Sequence, residues 1–92
     1  MGSLPKEMIR RINMNEKLKK VLADVFNLKE NDINKDLTKD DVSSWDSLTQ
    51  MDLVTSLESE FYIELEMLEI ASLTSVKTII DTLINKGVNL DS

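Results

Sequence analysis

Ser47 is the side chain most able to do chemistry in this 92-residue chain, because it lies between Asp46 and Leu48 at the start of an amphipathic segment. A serine nucleophile needs a neighbouring base, and the sequence contains no histidine. The sequence also contains no cysteine, so a thiolate nucleophile and a disulfide framework are excluded. These absences argue against a hydrolase triad and against a zinc site.

A calcium loop is the second candidate site, since Asp32, Asn34 and Asp36 occupy the first, third and fifth positions of an EF-hand pattern. The pattern then fails. Leu37 stands where the loop needs glycine, and Ser43 stands where it needs the bidentate glutamate. We therefore predict no metal site.

The charge of the chain is unevenly distributed. The net charge of −6 argues against nucleic acid as a partner, which would need clustered lysine and arginine. Residues 40–76 contain nine acids and no basic residue. This anionic stretch is either a solvated face or a surface that attracts basic partners.

The length and composition predict one domain, with a flexible N-terminal segment at 1–12, a folded domain at 13–87 and a C-terminal tail at 88–92. An additional helical turn is possible at 6–12, although glycine and proline nearby favour fraying. No apolar run approaches the roughly 20 residues that cross a bilayer, and no secretion signal is evident. We therefore expect a cytoplasmic protein.

The first helix is predicted within 13–28 from apolar residues that recur every three or four positions, and either Asn13 or Asn15 caps it. The polar segment 29–44 is predicted to be a long, ordered loop. Its apolar anchors are Ile33, Leu37, Val42 and Trp45. We expect the indole of Trp45 to pack partly beside the second helix.

The second helix is predicted to begin with Asp46 as its cap and to reach about Phe61. Its inward face consists of Leu53, Val54, Leu57 and Phe61. Leu48 and Met51 point away from that face, beside Asp52 and Thr55. These four outward residues form a candidate contact patch.

The region 62–67 alternates apolar and acidic residues, but no second strand exists to pair with it. We therefore expect an extended segment followed by a short helical turn at 66–72. The last helix is predicted to begin at Thr74 or Ser75 and to end at Gly87. Its apolar stripe is Val76, Ile79, Ile80, Leu83 and Ile84. The fold class is therefore all-α.

The sequence Trp45-Asp46-Ser47-Leu48, with Met51, Leu53 and Val54 after it, resembles the acyl carrier protein family. The resemblance covers roughly residues 14–86 and includes Thr74-Ser75-Val76 at the last helix. It implies a four-helix bundle with a long loop after the first helix and a short third helix. It also implies a carrier rather than an enzyme, with 4'-phosphopantetheine from coenzyme A esterified to Ser47. A phosphate at that position would meet unpaired N–H groups and the positive end of a helix dipole.

The resemblance also implies partners. These are a phosphopantetheinyl transferase, an acyl- or aminoacyl-loading ligase, and acyl-processing enzymes of fatty-acid, lipid or secondary-metabolite synthesis. Docking would involve Leu48, Met51, Asp52 and Thr55, with Glu58 at the rim. An acyl chain would lie among Val54, Leu57, Ile63 and Leu68. Plain packing of the core would account for these four apolar residues equally well.

The sequence also departs from the pattern of common fatty-acid carriers. Thr49 follows the motif where fatty-acid carriers usually have an acid, and Ser43-Ser44-Trp45 precedes it in place of a glycine-containing segment. These differences favour a specialised stand-alone carrier, and an aminoacyl cargo such as D-alanine stays open. An unmodified acidic helical adaptor is the other alternative. Nothing in the sequence indicates a stable oligomer, so a monomer is expected.

Overall fold

The computed structural model describes residues 15–90, which form four α-helices and one 3₁₀ turn. The helices are α1 (Glu16–Phe26), α2 (Ser47–Phe61), α3 (Met67–Ala71) and α4 (Val76–Asn85), and the 3₁₀ turn is Glu30–Asp32. Within 15–90 the only β-type pairing is an isolated bridge between Thr38 and Ser75. The prediction of an all-α fold is confirmed. No helix in this range is both long and apolar enough to cross a membrane.

The start of α1 is set by Asn15, whose side-chain oxygen accepts from the backbone N–H of Lys17 at 2.8 Å. Asn13, the alternative cap, and the predicted N-terminal segment 1–12 lie outside the described residues. The helix ends where Asn27 turns left-handed at φ 59° and the N–H of Leu28 bonds to the carbonyl of Ala23. This pattern satisfies a carbonyl that the helix end would otherwise leave open.

Helices α1 and α2 pack antiparallel. At one end, the Lys17 ammonium lies 3.9 Å from the Glu60 carboxylate and 5.4 Å from the centre of the Phe61 ring. At the other end, the Phe26 ring lies 4.4 Å from the indole of Trp45, just before α2. The two helices contribute about half of the buried residues of one core, among them Leu18, Val21, Leu22, Phe26, Leu53, Val54 and Leu57.

The connection at 27–46 is pinned to this core, as its apolar residues predict. Ile33 and Val42 are buried, and Leu37 is partly buried against the core. The backbone of the connection also bonds to the start of α4, through Leu37 to Val76 and through Lys39 to Thr74, both at 2.9 Å. The 3₁₀ turn within the connection was not predicted.

The EF-hand-like residues lie within this connection, and one of them stabilises a turn in it. The side chain of Asn34 accepts from the backbone N–H of Asp36 at 2.9 Å and so stabilises a local turn. Among residues 15–90, no three acidic side chains lie close enough together to hold a metal ion.

Ser75, rather than Thr74, caps α4, since its hydroxyl accepts from the N–H of Thr78 at 3.1 Å. Val76, Ile79 and Leu83 are fully buried, as predicted, and Gly87 at φ +89° ends the helix. The prediction for Ile84 is wrong because its side chain is 55% exposed. At about 100° per residue it lies about 100° from the centre of the buried stripe.

The core continues beyond the helix end. Leu90 is buried and Val88 is partly buried against the same cluster. Residues 88–90, which the sequence assigns to a tail, thus contribute apolar contacts in the structure.

Helix α2 ends at Tyr62, a residue with a Cβ in the left-handed region at φ 56°. Its side chain is 90% exposed, so few contacts offset the steric cost of this backbone conformation. Tyr62→Gly should therefore raise the free energy of unfolding by about 0.5–1 kcal/mol, as measured by urea denaturation.

The matched control is Asn27→Gly, at the corresponding position of α1 with φ 59°. Asparagine tolerates the left-handed region better than tyrosine does, so the gain there should be smaller. A loss of stability in Tyr62→Gly would contradict the assignment of steric cost to this residue.

Candidate functional site

Ser47 is the first residue of α2, and its side chain is exposed. Asp46 caps the helix as predicted, since its carboxylate accepts from the backbone N–H of Thr49 at 3.0 Å. The same hydrogen bond lowers the pKa of Asp46 because it stabilises the ionised carboxylate. The backbone N–H groups of Ser47 and Leu48, at the positive end of the helix dipole, have no acceptor within the helix.

Trp45 fixes the position of this helix start. Its side chain is only 4% exposed and packs on Phe26 with the two ring planes tilted by 33°. The indole N–H donates to the side-chain oxygen of Gln50 at 2.7 Å, and the Ser44 hydroxyl donates to the carbonyl of Phe26 at 2.8 Å. The predicted packing of Trp45 is confirmed, and it is deeper than expected.

Gln50 is a residue of this site that the sequence did not single out. Its side-chain nitrogen donates to the carbonyl of Ile70 at 2.9 Å and to that of Leu73 at 3.3 Å. Its side chain therefore joins the first turn of α2 to the end of α3. The available signal was a polar residue one turn after Trp45, between the exposed and the buried faces of the helix.

The outward face of α2 carries the residues that the sequence places there. Leu48 is 82% exposed, and Met51, Asp52 and Thr55 are also exposed. The Thr55 hydroxyl donates to the carbonyl of Met51 at 2.9 Å. The two apolar side chains lie one turn apart beside Ser47.

Glu58 differs from the other predicted contact residues. It is half-buried, and its carboxylate accepts from the backbone N–H of Leu65 at 2.8 Å. Glu58 therefore orients the extended segment that leads into α3. A substitution of Glu58 would alter this segment as well as any docking surface.

Three of the four residues expected to line an acyl pocket belong to the core cluster or pack against it, and the fourth does not. Val54 and Leu57 are buried, Ile63 is half-buried, but Leu68 is 85% exposed. The prediction that Leu68 faces the interior is wrong. In a helix Leu68 points about 200° away from Ile70, and Ile70 is the residue of α3 that packs against the core.

Helix α3 is held mainly by its flanks and by polar contacts. It contains no buried residue, whereas Leu65 before it and Leu73 after it are both buried. Glu69 forms a capping box with Glu66, and its carboxylate lies 2.8 Å from the ammonium of Lys86. The Glu66 backbone N–H and then Lys86 lower the pKa of Glu69, while Glu69 raises that of Lys86.

The arrangement is that of a helical domain which presents one serine at a capped helix start, beside an apolar patch and without a base. Residues 16–83 match the family described as "Phosphopantetheine attachment site". The chain therefore belongs to this family of carrier proteins, whose cofactor is covalently bound 4'-phosphopantetheine.

Proteins of similar sequence bear the name "Acyl carrier protein". One, from Buchnera aphidicola subsp. Baizongia pistaciae, is 39% identical over 70 residues, which cover 75% of this chain and 88% of the relative. A second, from Buchnera aphidicola subsp. Acyrthosiphon pisum, is 32% identical over 76 residues, which cover 83% and 95%. A third, from Buchnera aphidicola subsp. Schizaphis graminum, is 35% identical over 76 residues, with 82% and 95% covered.

The residues at the start of α2 fit the cofactor of this family. A phosphodiester on an exposed hydroxyl at position 47 would meet the N–H groups of the first turn and the positive end of the helix dipole. The Asp46 carboxylate is directed to Thr49, within the helix.

The difference in exposure between the two faces of α2 predicts that two of its leucines contribute unequally to the free energy of unfolding. Leu57 is only 1% exposed, so Leu57→Ala should lower the free energy of unfolding by about 2–5 kcal/mol. Leu48→Ala should change it by less than about 0.5 kcal/mol, because the side chain is already in solvent. Chemical denaturation of both variants tests this, and equal losses would mean that Leu48 is a core residue.

Proposed function

We propose that this protein carries acyl groups on a phosphopantetheine arm attached to Ser47. The observation that supports this most strongly is the position of Ser47, which is exposed at a capped helix start within the matched family region. When bound, the arm supplies a terminal thiol that holds the acyl group as a thioester. The chain itself supplies no cysteine for this purpose.

The residues around Ser47 have positioning roles in this proposal. Asp46 fixes the first turn, and the N–H groups of Ser47 and Leu48 favour the negative charge of the phosphodiester. No histidine is present to deprotonate the Ser47 hydroxyl, so the transferase that attaches the arm must supply the base. The protein is thus a substrate of its partner enzymes rather than a catalyst.

The cargo is proposed to be an acyl chain of fatty-acid or related lipid synthesis, since the relatives are named acyl carrier proteins. A longer chain would enter between α2 and α3, where Val54, Leu57 and Ile63 offer apolar side chains. Leu68 is left out of this set because it points to solvent. The family match weighs against the unmodified adaptor, and an aminoacyl cargo is an outcome that loading assays would reveal.

Partner enzymes are proposed to dock on the patch formed by Leu48, Met51, Asp52 and Thr55. Leu48 and Met51 provide apolar area next to Ser47, and Asp52 is exposed one turn after Leu48. The segment 40–76 contains no cation to oppose a basic partner. We further propose that the protein acts as a monomer in the cytoplasm.

Ser47→Ala should abolish attachment of the arm, because only this serine stands at the start of α2 on its exposed side. The measurement is intact mass after incubation with coenzyme A and a broad-specificity transferase. Wild-type protein should gain one phosphopantetheine, and the variant should gain none.

The matched control is Ser56→Ala, in the middle of α2, which should load like the wild-type protein. Peptide mapping should place the arm on Ser47 alone. Loading of Ser47→Ala, or an arm mapped to Ser43 or Ser44, would refute the proposed attachment site.

Reversal of the charge at Asp52 tests the docking patch. Asp52→Lys should slow association with the transferase by about twofold to tenfold at low salt, because a basic partner loses an attractive charge. The difference should shrink at physiological salt, where charges are screened over about 8 Å. Stopped-flow association at several salt concentrations measures both effects.

Asp81→Lys is the control, since it makes the same change in net charge at an exposed position on α4. It should slow association less than Asp52→Lys does. Equal effects would show that net charge, and not the patch on α2, attracts the partner.

A further inference from the structure

The side-chain amide of Gln50 joins three parts of the molecule that meet beside Ser47. Its oxygen accepts from the indole N–H of Trp45, and its nitrogen donates to the carbonyls of Ile70 and Leu73. Gln50 is three residues after Ser47 and so neighbours it on the helix surface. A change in these hydrogen bonds would alter the surroundings of the arm directly.

Helix α3 depends on such polar contacts more than the other helices do. It has no buried residue, whereas α1, α2 and α4 each have several. Ile70 packs partly against the core, and the described polar links are the Glu69 to Lys86 ion pair, the Glu58 contact with Leu65 just before the helix, and the bonds of Gln50. Elements with few buried apolar contacts open locally at lower free energy than the core does.

The three links act at different places along α3. Glu58 holds the segment before the helix, and Lys86 reaches Glu69 from the end of α4. Gln50 holds the other end of α3 against the first turn of α2, where Ser47 lies. Separation of α3 from α2 at the Ser47 end therefore requires that the bonds from Gln50 break.

We propose that Gln50 is a positioning residue that holds α3 against α2 and thereby sets how well a cargo on the arm is sheltered from solvent. The role in sheltering rests on the proposed function, because it requires an arm on Ser47. With the Gln50 bonds intact, the end of α3 stays against the first turn of α2. When they break, α3 separates at the Ser47 end and the cargo reaches solvent.

Two substitutions separate the contacts of Gln50. Gln50→Met removes all the hydrogen bonds of this side chain and keeps a side chain of similar length. Gln50→Glu keeps an acceptor for the Trp45 indole but places a carboxylate against two carbonyl oxygens. In the protein without the arm, hydrogen exchange of the amides at 70–73 should accelerate by about fivefold to tenfold in both variants. Trp45 fluorescence should change more in Gln50→Met than in Gln50→Glu.

Val88→Ala serves as the control for a general loss of stability. Val88 packs against the core beyond α4, so its truncation should weaken the fold without removing any contact of Gln50. In Val88→Ala the exchange rates of the amides at 70–73 should stay within about twofold of the wild-type rates under strongly native conditions. Equal acceleration in Val88→Ala would overturn the proposal, and so would unchanged exchange in both Gln50 variants.

The sheltering role is tested with the arm loaded with either an octanoyl or an acetyl group, and with hydroxylamine as a small nucleophile. In the wild-type protein the octanoyl thioester should be cleaved more slowly than the acetyl thioester, since only the longer chain could extend from the arm to the proposed shelter beneath α3. Gln50→Met should reduce that difference by about fivefold while leaving acetyl cleavage unchanged.

Equal cleavage of the two thioesters in wild-type protein, or an undiminished difference in Gln50→Met, would overturn the sheltering role. Failure of Ser47 to accept any arm would instead refute the proposed function. The exchange measurement needs no arm and would still decide whether Gln50 holds α3 in place.

Discussion

The packing of Trp45 on Phe26 is the contact on which the position of Ser47 depends. The connection before α2 is long and polar, and a chain of that kind has little tendency to hold its end in one place. The buried indole fixes this end against α1, and the hydroxyl of Ser44 bonds to the carbonyl of Phe26 beside it. Helix α2 begins at the next residues with Asp46 as its cap, so the exposed serine has a defined place on the surface.

Apolar burial holds most of the helices in place, whereas polar contacts hold most of α3. Helices α1, α2 and α4 bury their apolar stripes, and this burial supplies the main stabilising term. Helix α3 lies between two buried leucines and packs only Ile70 partly against the core, and its polar attachments are a glutamine, a glutamate and an ion pair. An element attached in this way can move without disruption of the core.

The acids of residues 40–76 act on the fold as well as on the surface. Asp41 accepts from Thr38, Asp46 from Thr49 and Glu58 from Leu65, each through a backbone N–H. Glu69 pairs with Lys86 from outside the segment. Part of the negative charge therefore stabilises turns and helix starts, where backbone N–H groups need acceptors. Asp52 lies on the exposed face of α2, where the proposed function gives it a role in attracting a partner.

The sequence by itself determined the four helices, the cap at Asp46, the exposed pair Leu48 and Met51, and the family to which the chain belongs. Helix caps and helical periodicity depend on residues three or four positions apart, so they can be predicted from the local sequence. Tertiary structure alone decided the role of Gln50, whose acceptors lie 20 and 23 residues away, and the partner of Glu58. It also decided that Leu68 and Ile84 face solvent. Burial of an apolar side chain at the edge of a stripe depends on whether another element covers it, and periodicity does not contain that information.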